Sequence, residues 1–236
     1  MKKIRLVMAS IFIFGLAIIA EGKDLKHLSK KQQEIIAISA FTANGNIDSL
    51  KKYLNEGLDA GLTVNEIKEI LVQMYAYCGF PRSLNGLNTF MTVLKERENK
   101  GIKDAVGKES TLSTENINSI ELGTKVQTKL SGAPVKGAVY NFAPAIDKYL
   151  KGHLFGDIFR SDVIDFQTRE LATVGALAGM TGVNPQLQAH FKNSMNAGLT
   201  EEQVKEIIIV LENKVGKTEA ENAEQVLNKY LEIRKN

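Results

Sequence analysis

The chain has 236 residues, 44% of them hydrophobic, with 30 Lys and Arg against 27 Asp and Glu and a single cysteine. That length and apolar share leave room for one or two domains with a substantial core, and one thiol excludes a disulfide within the chain. Three bases and no acid precede Glu21, which leaves 27 charges of each sign from Glu21 onward and no concentrated basic stripe for a nucleic-acid backbone.

Lys2, Lys3 and Arg5 lead into an uncharged apolar run over residues 6–20. A basic start and a short apolar run predict a secretory signal peptide over residues 1–20, cleaved after Ala20 although Ile18 is not the small residue preferred there. The run is shorter than the roughly 20 residues that a membrane-spanning helix needs, and no later segment reads as a span. The expectation is an exported protein, periplasmic or secreted, with no membrane span once the signal is cleaved; the alternative is that the run is kept as an N-terminal anchor.

Residues 28–98 read as a first helical domain. Ile35, Ile36, Ile38, Ala40 and Phe41 give an apolar helical face, and Asn44-Gly45-Asn46 makes the turn. Asp48 is the expected N-cap of a helix running to residue 60, with Gly61 as a left-handed C-cap. Thr63 and Glu66 form a capping box for a helix over about 64–77, which carries Ile67, Ile70, Leu71 and Met74 on one side. Cys78-Gly79-Phe80-Pro81 ends it, and a last helix spans about 82–95.

Residues 99–144 lose that periodicity and read as a linker, with an extended packing segment over 135–142. Helical signal resumes at 145, interrupted around Gly156, and a second domain is expected over 145–232. There Asn184 and Pro185 supply an N-cap and first helical position, Gly198 a C-cap, and Thr200 with Gln203 another capping box.

The two domains are copies. Asp59-Ala60-Gly61-Leu62-Thr63 returns 137 residues later as Asn196-Ala197-Gly198-Leu199-Thr200. The same offset, without a gap, brings Gly45 onto Gly182, Leu50 onto Leu187, Tyr53 onto His190 and Gly79 onto Gly216. A repeat this widely spaced marks a duplicated domain, and chemistry is sought where the copies differ.

Arg169-Glu170-Leu171-Ala172-Thr173, Gln186-Leu187-Gln188-Ala189-His190 and Ala197-Gly198-Leu199-Thr200 resemble the carboxymuconolactone decarboxylase family, which includes the alkyl hydroperoxidase D-like proteins. Tyr77-Cys78-Gly79-Phe80-Pro81 in copy one is similar to that family's Tyr-x-Gly-x-Pro stretch. The resemblance implies an all-α fold of two tandem alkyl hydroperoxidase D-like domains forming an internal pseudo-dimer, and a homo-oligomer.

In hydroperoxidase D-like members a glutamate, a Cys-x-x-Cys pair and a histidine relay protons to a redox dithiol. The resemblance carries the glutamate onto Glu170 and the histidine onto His190, and the cysteines onto Val183 and Gln186. Copy one has Gln33, Asn46, Ser49 and Tyr53 at these places. Thiol–disulfide exchange needs an attacking and a resolving sulfur, so dithiol peroxidase chemistry is excluded.

An acid/base pair survives. Glu170 and His190 stand on neighbouring helices, offset by roughly 6 Å along the axis at about 1.5 Å per residue, and a carboxylate fixes the imidazole tautomer for proton transfer. The plainer alternative is that Glu170 pairs with Arg169 or caps a helix and His190 is an interior histidine.

Arg169, Arg82 and Tyr77 are candidate substrate-binding residues, since a guanidinium fork suits a carboxylate. Cys78 is a candidate nucleophile or a buried structural thiol; helix carbonyls disfavour its thiolate, and Arg82 could offset them. His153 is expected at a pocket edge or a surface turn, and His27 in solvent. No His and Cys cluster calls for a metal, and no motif calls for a cofactor.

The functional expectation is a lyase acting on a small carboxylated or lactone molecule. The alternatives are a non-catalytic binding or assembly protein and a single-cysteine peroxide reductase.

Overall fold

The computed structural model describes residues 25–111 and 118–235, and the signal-peptide reading of residues 1–20 lies outside them. The described residues form α-helices and two π-helical stretches, with no strand. Copy one consists of α1 (Lys30–Asn44), α2 (Ile47–Asp59) and α3 (Val64–Asn99). Between α3 and α7 stand α4 (Ser119–Ser131), α5 (Ala138–Phe142), α6 (Pro144–Lys148) and a π-helix (Tyr149–Ile158). Copy two consists of α7 (Phe166–Ala178), α8 (Asn184–Asn196), α9 (Glu201–Val210), a short π-helix (Leu211–Val215) and α10 (Lys217–Lys235). The 137-residue offset carries both ends of α2 onto both ends of α8, so the repeat is one of structure as well as sequence.

Local chemistry sets these boundaries. The capping boxes of Thr63 with Glu66 and of Thr200 with Gln203 are both formed, and Ser29 with Gln32 makes a third ahead of α1. The N-cap of α2 is Asn46 rather than Asp48, because Asn46 is the last non-helical residue after the turn and accepts from the Ser49 N–H. Asn184 lies inside the first turn of α8 and pairs with the Asn222 amide instead of capping. At Gly79, φ 82° and ψ 160° break α3, and the chain re-enters a helix at Phe80 in a new direction.

The centre of the molecule is the crossing of α1 and α7. Every residue from Glu34 to Ala43 and from Arg169 to Ala178 is buried, so each helix is covered on all sides. Close approach depends on Gly175 and Gly179. A Cβ there would lie 2.5 Å from the Ile36 carbonyl oxygen and 2.7 Å from that of Ala40. One apolar core therefore draws on both copies, as an internal pseudo-dimer requires.

The region read as a linker is more ordered than expected. Val126 and Leu130 of α4 pack with Leu154, Phe155, Ile158 and Phe159 in a second, smaller core. Residues 138–142 form α5 instead of an extended segment, and the π-helix runs through Gly156. Among the described residues no helix is long and apolar enough to cross a membrane.

The beginning of the described chain is fastened by one carboxylate. Glu206 of α9 accepts from the backbone N–H groups of Lys26, His27 and Leu28 at 2.7–3.0 Å. Burial pushes its pKa up, but the three donors outweigh that and hold it below the usual carboxylate value. Its stabilisation is then fully present above the unfolded value of about 4.3 and is lost as pH falls through the lower folded value. Glu206→Ala is expected to cost about 2 kcal/mol in urea unfolding at pH 7, in the range of hydrogen bonds to charged groups. The gap between variant and unaltered protein should close in acid.

Candidate active site

The α7–α8 hairpin brings the acid and the imidazole together directly. Glu170 is 0% exposed, and its Oε2 lies 2.7 Å from His190 Nδ1. The axial offset expected from the sequence is spanned by the two side chains without a bridging atom. A hydrogen bond from Nδ1–H to the carboxylate assigns the tautomer, which leaves His190 Nε2 as the nitrogen available to an occupant of the cavity. The other carboxylate oxygen, Oε1, is buried with no partner among the described residues.

Copy one completes the site. Tyr77, from the first segment of α3, meets the His190 ring edge-on at 5.7 Å between centroids. Burial first, and the neighbouring Glu170 charge second, push the phenol pKa well above its ordinary value, so it stays a donor at neutral pH.

A cavity of about 410 Å³ opens beside these residues. Tyr77, His190, Leu177, Val183 and Gln186 contribute from the two copies, and Gln127, Tyr140, Leu154 and Phe155 from the stretch between α3 and α7 form the opposite wall. Its lining contains no Lys, Arg, Asp or Glu. A more open depression of about 520 Å³ lies at the start of α7 among Lys108, Arg160 and Asp162, and none of the candidate residues lines it.

The model of the carboxymuconolactone decarboxylase family matches residues 6–90 and again 144–229, together more than two thirds of the chain. The chain belongs to the carboxymuconolactone decarboxylase family. No curated protein matches the chain. Val183 and Gln186, onto which the family resemblance carries the cysteine pair, both line the cavity. Glu170 and His190, onto which the resemblance carries the relay acid and histidine, therefore stand beside a cavity whose lining is apolar and amide at the places of the sulfur pair.

The corresponding place in copy one is filled. Tyr53 stands where His190 does, stacks on Phe41 at 5.3 Å and donates to the Lys214 carbonyl at 3.0 Å. Lys214, the counterpart of Tyr77, pairs with Glu34 at 2.8 Å, and Gln33, the counterpart of Glu170, donates to the Leu28 carbonyl. Each group is satisfied internally, so of the two related places only that of copy two carries an acid and an imidazole.

Three candidate residues stand away from the cavity. Arg169 is 0% exposed; its fork is taken by Gln73 Oε1 at 2.9 Å, Glu69 Oε1 at 2.5 Å and the Ser161 carbonyl at 2.8 Å, and the guanidinium lies over Phe159. It ties α3 to α7 instead of presenting its fork to a ligand. Arg82 is exposed and donates to the Ala43 carbonyl in the last turn of α1. Cys78 packs against the main core and donates to the Met74 carbonyl, and burial pushes its pKa up to about 11. That thiol is protonated at neutral pH. His153 bonds Asp157 and lies against Tyr75, outside the cavity lining.

Gln127, Tyr140 and Phe155 were not foreseen as lining residues. Gln127 and Tyr140 sit between the two stretches that the family model matches, and Phe155 lies on the π-helix, whose counterparts 137 residues earlier fall outside the described residues.

Proposed function

We propose that the cavity takes a small, uncharged, largely apolar molecule with a carbonyl or lactone group, and that Glu170 and His190 move a proton on it. The observation that carries this reading is the 2.7 Å pair of a wholly buried carboxylate and a cavity-lining imidazole. His190 Nε2 takes a proton from carbon beside the carbonyl and returns it, while the Glu170 carboxyl on Nδ1 holds the ring in place. The Tyr77 hydroxyl is the neutral donor beside them.

A carboxylated substrate is less well served, because burying its charge would need a cation that the lining does not offer. A neutral lactone avoids that cost, and removing and returning a proton on it is an isomerisation, not a lyase step. Single-cysteine peroxide reduction has no support from a thiol held protonated outside the cavity. A binding protein without turnover would use the same cavity, and export follows only from the residue 1–20 reading.

The test is a ligand-observed NMR screen that pairs each neutral lactone, ester or ketone with its ring-opened acid. Neutral members are expected to bind and to perturb the His190 ring resonances. Preferential binding of the acids, or binding that leaves His190 untouched, would overturn the assignment.

A further inference from the structure

Two polar side chains of the cavity lining are more than nine-tenths buried, Gln127 at 5% and Asn193 at 7% exposure. Their hydrogen bonding differs. With its nitrogen turned toward them, the Asn193 amide donates to the Ala189 and Leu130 carbonyls at 3.2 and 3.1 Å. The Gln127 side-chain amide has no hydrogen-bond partner among the described residues, although its backbone carbonyl accepts from Ser131. A buried amide left unpaired costs stability, so folding alone does not account for it.

The amide stands on a fixed wall. A Cβ on Gly123 of α4 would strike the Lys151 carbonyl of the π-helix, and one on Gly156 would strike the Ser119 carbonyl, so the two elements meet at backbone contact. Gln127 follows Gly123 by one turn, on the same side of α4. Near the end of that helix Asn196 of α8 donates to the Leu130 carbonyl at 2.7 Å, which ties the wall to the helix that carries His190. Residue 127 lies between the two stretches that the family model matches, so the family motifs do not account for this group.

We propose that the Gln127 side-chain N–H binds the carbonyl oxygen of the molecule in the cavity. This rests on the reading of that molecule as a neutral carbonyl compound. Such a molecule accepts hydrogen bonds and donates none, so of the two ends of the amide it is the nitrogen that meets it. When His190 Nε2 takes a proton from the neighbouring carbon, the C–H electron pair becomes a C=C bond and the C=O pair moves onto oxygen. The amide then faces the developing negative charge, where a donor placed in advance has its largest effect. Return of the proton to carbon restores the carbonyl, and no other reactant is consumed.

Cyclohexanone and methylenecyclohexane, alike in shape but for the oxygen, are the probes. In ligand-observed NMR titrations Gln127→Leu is expected to weaken the ketone about tenfold, the loss of one hydrogen bond, and to leave the hydrocarbon bound as tightly or more so. The variant puts an apolar group of similar size in place of an unpaired amide, so it should melt no lower than the unaltered protein. A lower melting temperature, equal effects on the two probes, or an unchanged ketone affinity would overturn the proposal. Deuterium uptake at the carbons beside the carbonyl in D2O reports proton transfer separately. A ketone weakened by Gln127→Leu with no such uptake in the unaltered protein would support the amide contact and remove the acid/base reading. Uptake that depends on His190 with ketone affinity unmoved by Gln127→Leu would do the reverse, and failure of the unaltered protein to bind cyclohexanone would overturn both.

Discussion

His190→Ala is expected to lower the turnover of any substrate the cavity accepts by roughly 10²- to 10⁴-fold, the usual contribution of a positioned acid or base. The alanine change also strips a buried carboxylate of its partner, and the unmatched charge would destabilise the fold. His190→Gln separates the two effects, because its amide N–H can still donate to Glu170 while offering no basic nitrogen to the cavity. Both variants should lose turnover, and the glutamine variant should melt closer to the unaltered protein. Retained turnover in a folded His190→Gln protein would remove the imidazole from the mechanism.

Arg169→Met should cost about 3 kcal/mol or more, the range for breaking a buried ion pair by removing one partner. Glu69, Gln73 and the Ser161 carbonyl all lose a donor at once. For a chain of this size that corresponds to a fall in Tm of about 10 °C. At a temperature where the variant is still folded, ligand binding in the cavity is expected to be unchanged. A variant that melts normally but loses affinity for acids would instead make Arg169 a substrate-binding residue. Glu69→Gln should add little in the Arg169→Met background, since the two changes break one pair.

The residues differ in how far their sequence context reveals their place. Thr63 with Glu66 and Thr200 with Gln203 are local signals, complete within four residues, and each forms the cap it spells. Glu170 and His190 lie on consecutive helices of one hairpin, so the family phrases and the helical repeat bring them together. Arg169 is adjacent to Glu170 in sequence yet points into the seam between copies, where Glu69 and Gln73 lie about 100 residues away. Nothing local announces that partnership. Asp48 and Asn46 both fit a cap, and only the turn geometry at Gly45 decides between them. The helix α4 is not legible in the sequence because few of its positions are apolar, and its inner face meets a π-helix whose counterparts 137 residues earlier lie outside the described residues.

The crossing of α1 and α7 also fixes what duplication has done to this protein. A fragment ending after copy one, or beginning at copy two, would open a helix buried on every side to water. Each half would shed much of its interior, and the C-terminal half would also lack Tyr77. The two copies are thereby inseparable, and the chain is expected to unfold as a single cooperative unit.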